Sequence, residues 1–304
     1  MTDWHALIAD AHGRIAPHVR RTPVMEADLA GHRVALKLEH AQHTGSFKAR
    51  GAFNTLLSAA VPPGGVVAAS GGNHGAAVAF AAARLGHPAH VFVPEVAGPA
   101  KIALIERAGA TCHVVPGLYQ DALEAAEAHE AATGARQVHA YDAEATVAGQ
   151  GTLFREWEDQ GLDADTVLVA VGGGGLIAGA LAWLGERRRV VAVEPEASRC
   201  LHAALEAGAP VDVAVGGIAA NALGARRVGR LTWGLRDRLA GAVTVPDDAI
   251  AEARDLLWRE TRQLVEPSGA AALAALTSGA YVPRDGERVA VLVCGANPAP
   301  DPLG

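Results

Sequence analysis

A chain of 304 residues is long enough for one large domain or two moderate ones around a substantial buried core. Its net charge of −7, spread over interleaved acidic and basic residues, excludes an extended nucleic-acid surface. Three widely spaced cysteines, Cys112, Cys200 and Cys294, exclude a disulfide framework and a CxxC zinc knuckle.

Half of the residues are hydrophobic but only 4% are aromatic, a profile that suits helices packed closely on a sheet through alanine. The N-terminus has no basic segment leading into an apolar one, and no apolar run reaches the roughly 20 residues that a spanning helix needs. A cytoplasmic protein without membrane or nucleic-acid partners is expected.

In chain order, a strand-like run over 34–38 leads into the polar turn Thr44-Gly45-Ser46 and a helix from about Phe47. A strand over 66–69 gives way to Ser70-Gly71-Gly72-Asn73-His74-Gly75 and a helix over 76–85. Strands follow at 90–93 and 113–115, with helices over 100–108 and 119–133. Beyond these come a helix over 149–160, strands at 166–171, 189–193 and 288–293, and a helix over 176–185. Short β-branched runs alternating with alanine-rich helices predict an α/β fold of two open, twisted, mostly parallel sheets covered by helices. Ligands of such sheets bind at the carboxyl ends of the strands, where the glycine-rich segments fall.

Gly172-Gly173-Gly174-Gly175 sits between an apolar strand and a helix. That is the setting in which backbone N–H groups and a helix N-terminus hold a phosphate. A single glycine would serve a plain tight turn; four in succession favour a phosphate loop. The run from Gly173 to Ala178 also fits the loose dinucleotide pattern G-x-G-x-x-A. Glu194 ends the next strand about 20 residues on, where a ribose-binding acid would stand. An NAD-dependent oxidoreductase is therefore the competing reading of this half.

Lys48 falls in the first turn of its helix, where the helix field disfavours a cation. Partial burial there should pull its pKa below the reference of about 10.4, giving an amine suited to imine formation and proton transfer. Taken alone, it reads more readily as a surface lysine at a helix start.

Ser46-Phe47-Lys48 with Arg50-Gly51-Ala52 resembles the cofactor-lysine signature of the serine/threonine dehydratases, which are fold-type-II pyridoxal-phosphate enzymes. Arg21-Thr22-Pro23-Val24, Ser70 to Gly75, Ala148-Gly149-Gln150-Gly151-Thr152, the tetraglycine, Val265-Glu266-Pro267-Ser268-Gly269 and Cys294-Gly295-Ala296-Asn297 resemble further family motifs, in the family's order. The resemblance implies that Lys48 carries pyridoxal 5'-phosphate as a Schiff base and later removes the substrate Cα proton. It implies that Phe47 packs near the ring and Asn73 bonds its phenolic oxygen. Gly172, Gly173, Gly174 and Gly175 would hold the phosphate, and Cys294 would face the pyridine nitrogen. Ser46, Ser70, Gly71, Asn73 and His74 would surround the substrate carboxylate. Residues 1–47 and 141–304 would form the larger, cofactor-binding domain and 48–140 a small mobile one. The implied reaction is loss of water from L-threonine, L-serine or a related β-hydroxy amino acid, giving a 2-oxo acid and ammonia. A same-fold racemase or β-replacement synthase is the alternative, and a homodimer is the implied assembly.

Several positions depart from the family pattern. Where its serine racemases carry a second base, a serine, this chain has Gly71. The family's divalent-cation site needs a second acid about six residues after Glu194, where Ser198, Arg199 and Cys200 stand instead, so no metal is expected. His43 replaces the commoner proline, and with the given sequence ending at Gly304 no regulatory C-terminal domain is expected.

Overall fold

The computed structural model describes residues 2–117 and 119–297. Its strands are β1 (Val24–Leu29), β2 (His32–Leu38), β3 (Val66–Ala69), β4 (Ala89–Pro94), β5 (Thr111–Val115), β6 (Arg136–Gln137), β7 (Thr166–Ala170), β8 (Arg189–Pro195), β9 (Gly241–Val245) and β10 (Val289–Val293). They form two sheets. One has six strands in the order β1-β2-β10-β7-β8-β9, the other four in the order β5-β4-β3-β6. Among the strands of the described residues only the β1–β2 pair is antiparallel; the other strand pairings are parallel.

Strands β3, β7 and β10 are buried along their whole length, as parallel strands covered on both faces must be. The antiparallel edge strand β1 has no counterpart among the predicted strands, because its half-exposed Val-Met-Glu-Ala-Asp-Leu sequence carries no continuous apolar run. It turns into β2 through Ala30 and Gly31, both with positive φ.

The helices are α1 (Trp4–Ile15), α2 (Lys48–Leu57), α3 (Asn73–Leu85), α4 (Pro99–Arg107), α5 (Tyr119–Thr133), α6 (Glu144–Asp159), α7 (Gly175–Leu184), α8 (Cys200–Ala207), α9 (Ala220–Leu223), α10 (Arg230–Gly234), α11 (Asp247–Thr261) and α12 (Pro267–Thr277). Helix α6 begins five residues before the predicted start at 149. Helix α12 is buried from Ser268 to Leu276, its alanines letting it lie flat against the six-stranded sheet. None of these helices is long and apolar enough to cross a membrane.

The Gly149–Gly151 motif serves packing. A Cβ on Gly149 would sit 2.7 Å from the Arg50 carbonyl oxygen, and one on Gly179 of α7 would sit 2.7 Å from the Gly151 nitrogen. Helices α2, α6 and α7 thus cross at backbone contact, and any side chain at these points would force them apart.

Beneath α2 lies a fully buried charge cluster. Arg50 forms a two-pronged pair with Glu39, at 2.6 and 2.8 Å, and reaches Glu156 at 3.0 Å. Lys37 Nζ donates to Glu156 at 2.6 Å, to Gln160 at 2.6 Å and to the Thr22 carbonyl at 3.0 Å. Two cations thus balance two anions, with Thr22 bonding both carboxylates, so the burial cost of each charge is offset by its partners. Because Arg50 lies half a turn beyond Lys48, this cluster fixes the start of α2.

Candidate active site

The site lies where the carboxyl ends of the two sheets meet. Lys48 opens α2 with its amine drawn inward: Nζ donates to the Ala140 carbonyl at 2.8 Å and stands 5.2 Å from the centre of the Phe47 ring. It forms no ion pair with any carboxylate among the described residues. Burial pulls its pKa down to about 8, against a weak opposing pull from the Cys294 sulfur. A desolvated amine of this kind, without an ion-pair partner among the described residues, is uncharged to about a tenth at about pH 7 and to about half at about pH 8, far more than an ordinary lysine, and the uncharged form is the nucleophile.

Ser46 and Phe47 are joined to the end of β10. Ser46 bridges Gly295, the Phe47 amide donates to the Cys294 carbonyl at 3.2 Å, and the Ala296 amide donates to Gly45 at 2.8 Å. Lys48 and Cys294 are brought together in this way. The Cys294 thiol is buried, pushed up to about 12 by that burial and then by Glu266, and donates to the Ser268 carbonyl at 3.3 Å. It is a neutral group, as a cysteine facing a pyridine nitrogen would be. The hydroxyl of Ser46, fully buried, has no hydrogen-bond partner.

Asn73 opens α3 beside Gly295. Its Nδ2 donates to Glu266 at 2.5 Å, and its Oδ1 accepts from Asn297 at 2.7 Å. The Ser268 hydroxyl donates to the same Glu266 oxygen at 2.8 Å. Burial raises the pKa of Glu266, while Ser268, Asn73 and Lys101 oppose the rise. The first-turn amides of α3 have no acceptor within the helix, and Ser70, Gly71 and Gly72 form the approach to it. His74 is turned the other way. Its Nε2 meets the Val138 carbonyl at 2.7 Å, and burial followed by Lys48 drives its pKa down to about 3. The imidazole is therefore neutral and its Nε2 donates, so toward a substrate this residue offers its backbone.

The tetraglycine runs from the end of β7 into α7, with Gly174 at φ 102 as the helix N-cap. A Cβ on Gly173 would lie 2.4 Å from the ring of Tyr141, and one on Gly175 would lie 2.8 Å from Tyr141 Cα. Tyr141 adjoins Ala140, the acceptor of Lys48, so a single loop links the amine to the glycines. Nothing in the sequence singles out this loop. It acts through a backbone carbonyl and a ring face, which no residue pattern announces. Glu266 and Asn297 stand inside recognisable motifs, but the sequence assigns them no task.

Glu194 lies at the end of β8, but both its oxygens accept backbone amides, from Leu201 at 2.8 Å and from His202 at 2.7 Å. It is 1% exposed and so cannot meet a ribose hydroxyl, which removes the support for a dinucleotide. The same two bonds occupy the carboxylate at the expected cation position. Among the described residues, no three histidine, cysteine, aspartate or glutamate side chains are arranged to hold a metal.

A lysine amine poised at the carboxyl ends of two parallel sheets, opposite a glycine cradle and a neutral thiol, defines an enzyme that carries a phosphorylated carbonyl cofactor. The chain belongs to the pyridoxal-phosphate dependent enzyme family, whose model matches residues 15–295. It is 37% identical over 300 residues to "Phenylserine dehydratase" of Ralstonia pickettii, covering 95% of this chain and 92% of that one. A crystal structure of threonine deaminase from T.th. aligns with a TM-score of 0.89 at 37% identity, covering 98% of this chain and 99% of that one. The structure of maize serine racemase aligns with a TM-score of 0.90 at 31% identity, covering 96% and 93% of the two chains. The fold is accordingly that of the fold-type-II enzymes, the cofactor is pyridoxal phosphate, and dehydratases and ammonia-lyases among the relatives mark the chain as a lyase.

Proposed function

We propose that the protein removes water from a β-hydroxy amino acid of the serine, threonine or phenylserine type, releasing a 2-oxo acid and ammonia. The single observation that carries this reading is the desolvated, unpaired Lys48 amine facing Cys294 and the Ala140–Tyr141 loop. The residues present fit pyridoxal phosphate. Lys48 offers the amine that would join its carbonyl, Gly172 to Gly175 the cradle for its phosphate, Asn73 the side chain for its phenolic oxygen, Phe47 a ring contact and Cys294 a neutral group for its nitrogen. When bound, the cofactor withdraws electron density from the substrate Cα and so acidifies its proton.

The chain's own groups do the rest. The α3 amides with Ser46, Ser70 and Gly71 bind the substrate carboxylate and orient the Cα–H bond. Lys48 Nζ takes the Cα proton and can hold it because its pKa lies near working pH. The Cβ–O bond breaks and the hydroxyl leaves as water, taking up the proton that Lys48 Nζ removed from Cα. Hydrolysis of the resulting enamine gives ammonia and the 2-oxo acid.

Racemisation is the second reading, favoured by the likeness to the maize serine racemase. It lacks a partner for Lys48 on the opposite face, because Gly71 has no side chain and His74 points to Val138. We further take 48–140 as a small lobe that moves over residues 1–47 and 141–304, the chain as a homodimer, and the cytoplasm as its location. The test is a panel of L-serine, L-threonine, D-serine and L-phenylserine, scored for ammonia and 2-oxo acid. Release of both from at least one β-hydroxy substrate, lost in Lys48→Ala together with the yellow colour, is expected. Conversion of L-serine to D-serine without ammonia would replace this reading with racemisation.

A further inference from the structure

The first two peptide planes of the tetraglycine are each held from outside the loop. The Gly172 carbonyl lies 3.3 Å from Cys200 Sγ, and the Gly173 carbonyl accepts the Gly229 amide at 2.9 Å. In a trans peptide the C=O of one residue and the N–H of the next point in opposite directions. Each anchored carbonyl therefore turns the N–H that follows it, of Gly173 and of Gly174, away from its own anchor. Glycine gives up such an orientation easily, since no side chain restricts its φ and ψ. An anion cradle built from glycines consequently needs its carbonyls fastened, or they would rotate toward the phosphate and repel it.

Cys200 is itself fixed. It is 1% exposed and opens α8, and the Glu194 carboxylate, reaching across from the end of β8, accepts the two amides that follow it. Burial and then Glu194 push the thiol up to about 12, so it keeps its proton throughout the working range and remains a donor. Glu194 stands beside the same thiol and keeps lone pairs beyond those that serve Leu201 and His202, so it is a second acceptor for the thiol next to the Gly172 carbonyl at 3.3 Å. Two residues before Cys200, the Ser198 hydroxyl donates to the Gly216 carbonyl at 2.8 Å and accepts the Gly216 amide at 3.1 Å, tying this connection to the segment that leads into α9.

We propose that Cys200 is a positioning residue for the cofactor phosphate: its thiol holds the Gly172 carbonyl away from the cradle and so presents the Gly173 N–H to the phosphate, with Glu194 keeping Cys200 in register. This rests on the tetraglycine being the phosphate cradle. It concerns a residue that touches neither substrate nor cofactor, and it gives a task to a cysteine that composition alone marks as a buried apolar filler.

The experiment strips the full chain of cofactor and titrates it with pyridoxal phosphate and, separately, with pyridoxal, which lacks the phosphate. Removing one weak, neutral hydrogen bond to the loop should weaken pyridoxal phosphate roughly two- to fivefold in Cys200→Ala and leave pyridoxal unchanged. Cys200→Ser, whose hydroxyl donates to the same carbonyl, should bind both ligands nearly as the parent does. An equal loss for both ligands would mark a general packing defect and overturn the proposal. So would unchanged binding in Cys200→Ala, or a Cys200→Ser variant as weak as Cys200→Ala. Should Cys200→Ala not fold, Cys200→Thr against Cys200→Val poses the same contrast between a donor and a non-donor of equal shape. Gly173→Ala controls for the cradle, because its Cβ would meet the Tyr141 ring at 2.4 Å. If that variant keeps the parent's preference for the phosphorylated ligand, the cradle reading itself fails, an outcome separate from a failure of Cys200 alone.

Discussion

Lys48 Nζ donates a 2.8 Å hydrogen bond to the carbonyl of Ala140, 92 positions away along the chain. The acceptor is neutral, so it fixes the amine in place without stabilising its charged form as a carboxylate would. With burial, this leaves a lysine pulled down to about 8. Uptake of pyridoxal phosphate by the stripped protein requires the uncharged amine. The uptake rate should therefore rise about tenfold per pH unit below about 8 and level off above it. Stopped-flow absorbance across pH 6 to 10 (roughly the span around that pKa) measures this. A rate still climbing past the plateau would show an ordinary lysine and remove the argument for a poised base.

The charge cluster beneath α2 makes a second prediction. Arg50 is 0% exposed and bonds both Glu39 and Glu156. Replacing it with methionine keeps most of the volume but leaves two buried carboxylates facing a single Lys37. A loss of about 3–5 kcal/mol in unfolding free energy is expected. Denaturant melts would register it as a lower midpoint with an unchanged slope. Glu156→Gln should cost less, since Glu39 continues to pair with Arg50. The reverse order would mean that Glu156 is the keystone of the cluster.

What was legible in the sequence follows from where the information resides. Ser46, Phe47 and Lys48 are consecutive, and Cys294 directly follows a continuous apolar strand. Their proximity in space is dictated by parallel strands delivering their carboxyl ends to one edge. Tyr141, Gly229 and Cys200 could not be read in this way. Each arrives on a separate connection and acts through a ring face, a backbone amide or a weak thiol bond, so residue type says little about the task. Glu194 misled for the complementary reason. Its position after β8 suits a ribose contact, and only the fold shows its oxygens turned to the amides of α8. The same holds for β1, whose half-exposed edge position requires no apolar run.

Two histidines of the four-stranded sheet, packed against a third ring, make stability sensitive to acid. His90 Nδ1 and His113 Nε2 are 3.1 Å apart, His129 of α5 lies over both at ring separations of 4.4 and 5.8 Å, and Phe92 stacks on His113 at 4.5 Å. Burial and then the neighbouring rings lower the pKa of His90 and His113. The unfolded chain binds protons at these sites from about pH 6.5 downward, whereas the folded chain resists them. Stability is thus full above that pH and falls as pH drops through it. Melting temperatures at pH 7.5 and 5.5 (about one unit either side of that value) should differ in the parent. In His113→Phe, which retains the stack and removes a titrating ring, the difference should shrink. An unchanged difference would place the acid sensitivity elsewhere.

The last prediction concerns the face of the substrate opposite Lys48. A Cβ on Gly71 would lie 2.5 Å from the Ala97 Cβ and 3.1 Å from Val93 Cγ1, so the loop ahead of α4 is packed directly on this glycine. A serine introduced there must push that loop outward before its hydroxyl can face the site. Gly71→Ser should therefore lower the melting temperature and the elimination rate together, and form no D-serine from L-serine. Ala97→Gly removes the nearer of the two obstructing groups. Combined with Gly71→Ser, it should recover most of the lost melting temperature, because the strain comes chiefly from that one contact. Chiral analysis of serine incubated with the double variant then asks whether a hydroxyl on this face suffices to return a proton to Cα. If D-serine appears, Gly71 and its packing against Ala97 are what confine the enzyme to elimination. If none appears although the fold has recovered, the confinement lies in Lys48 and the cofactor's surroundings. If Gly71→Ser by itself is as stable as the parent, the loop ahead of α4 yields more readily than its contacts require, and the steric argument fails at its first step.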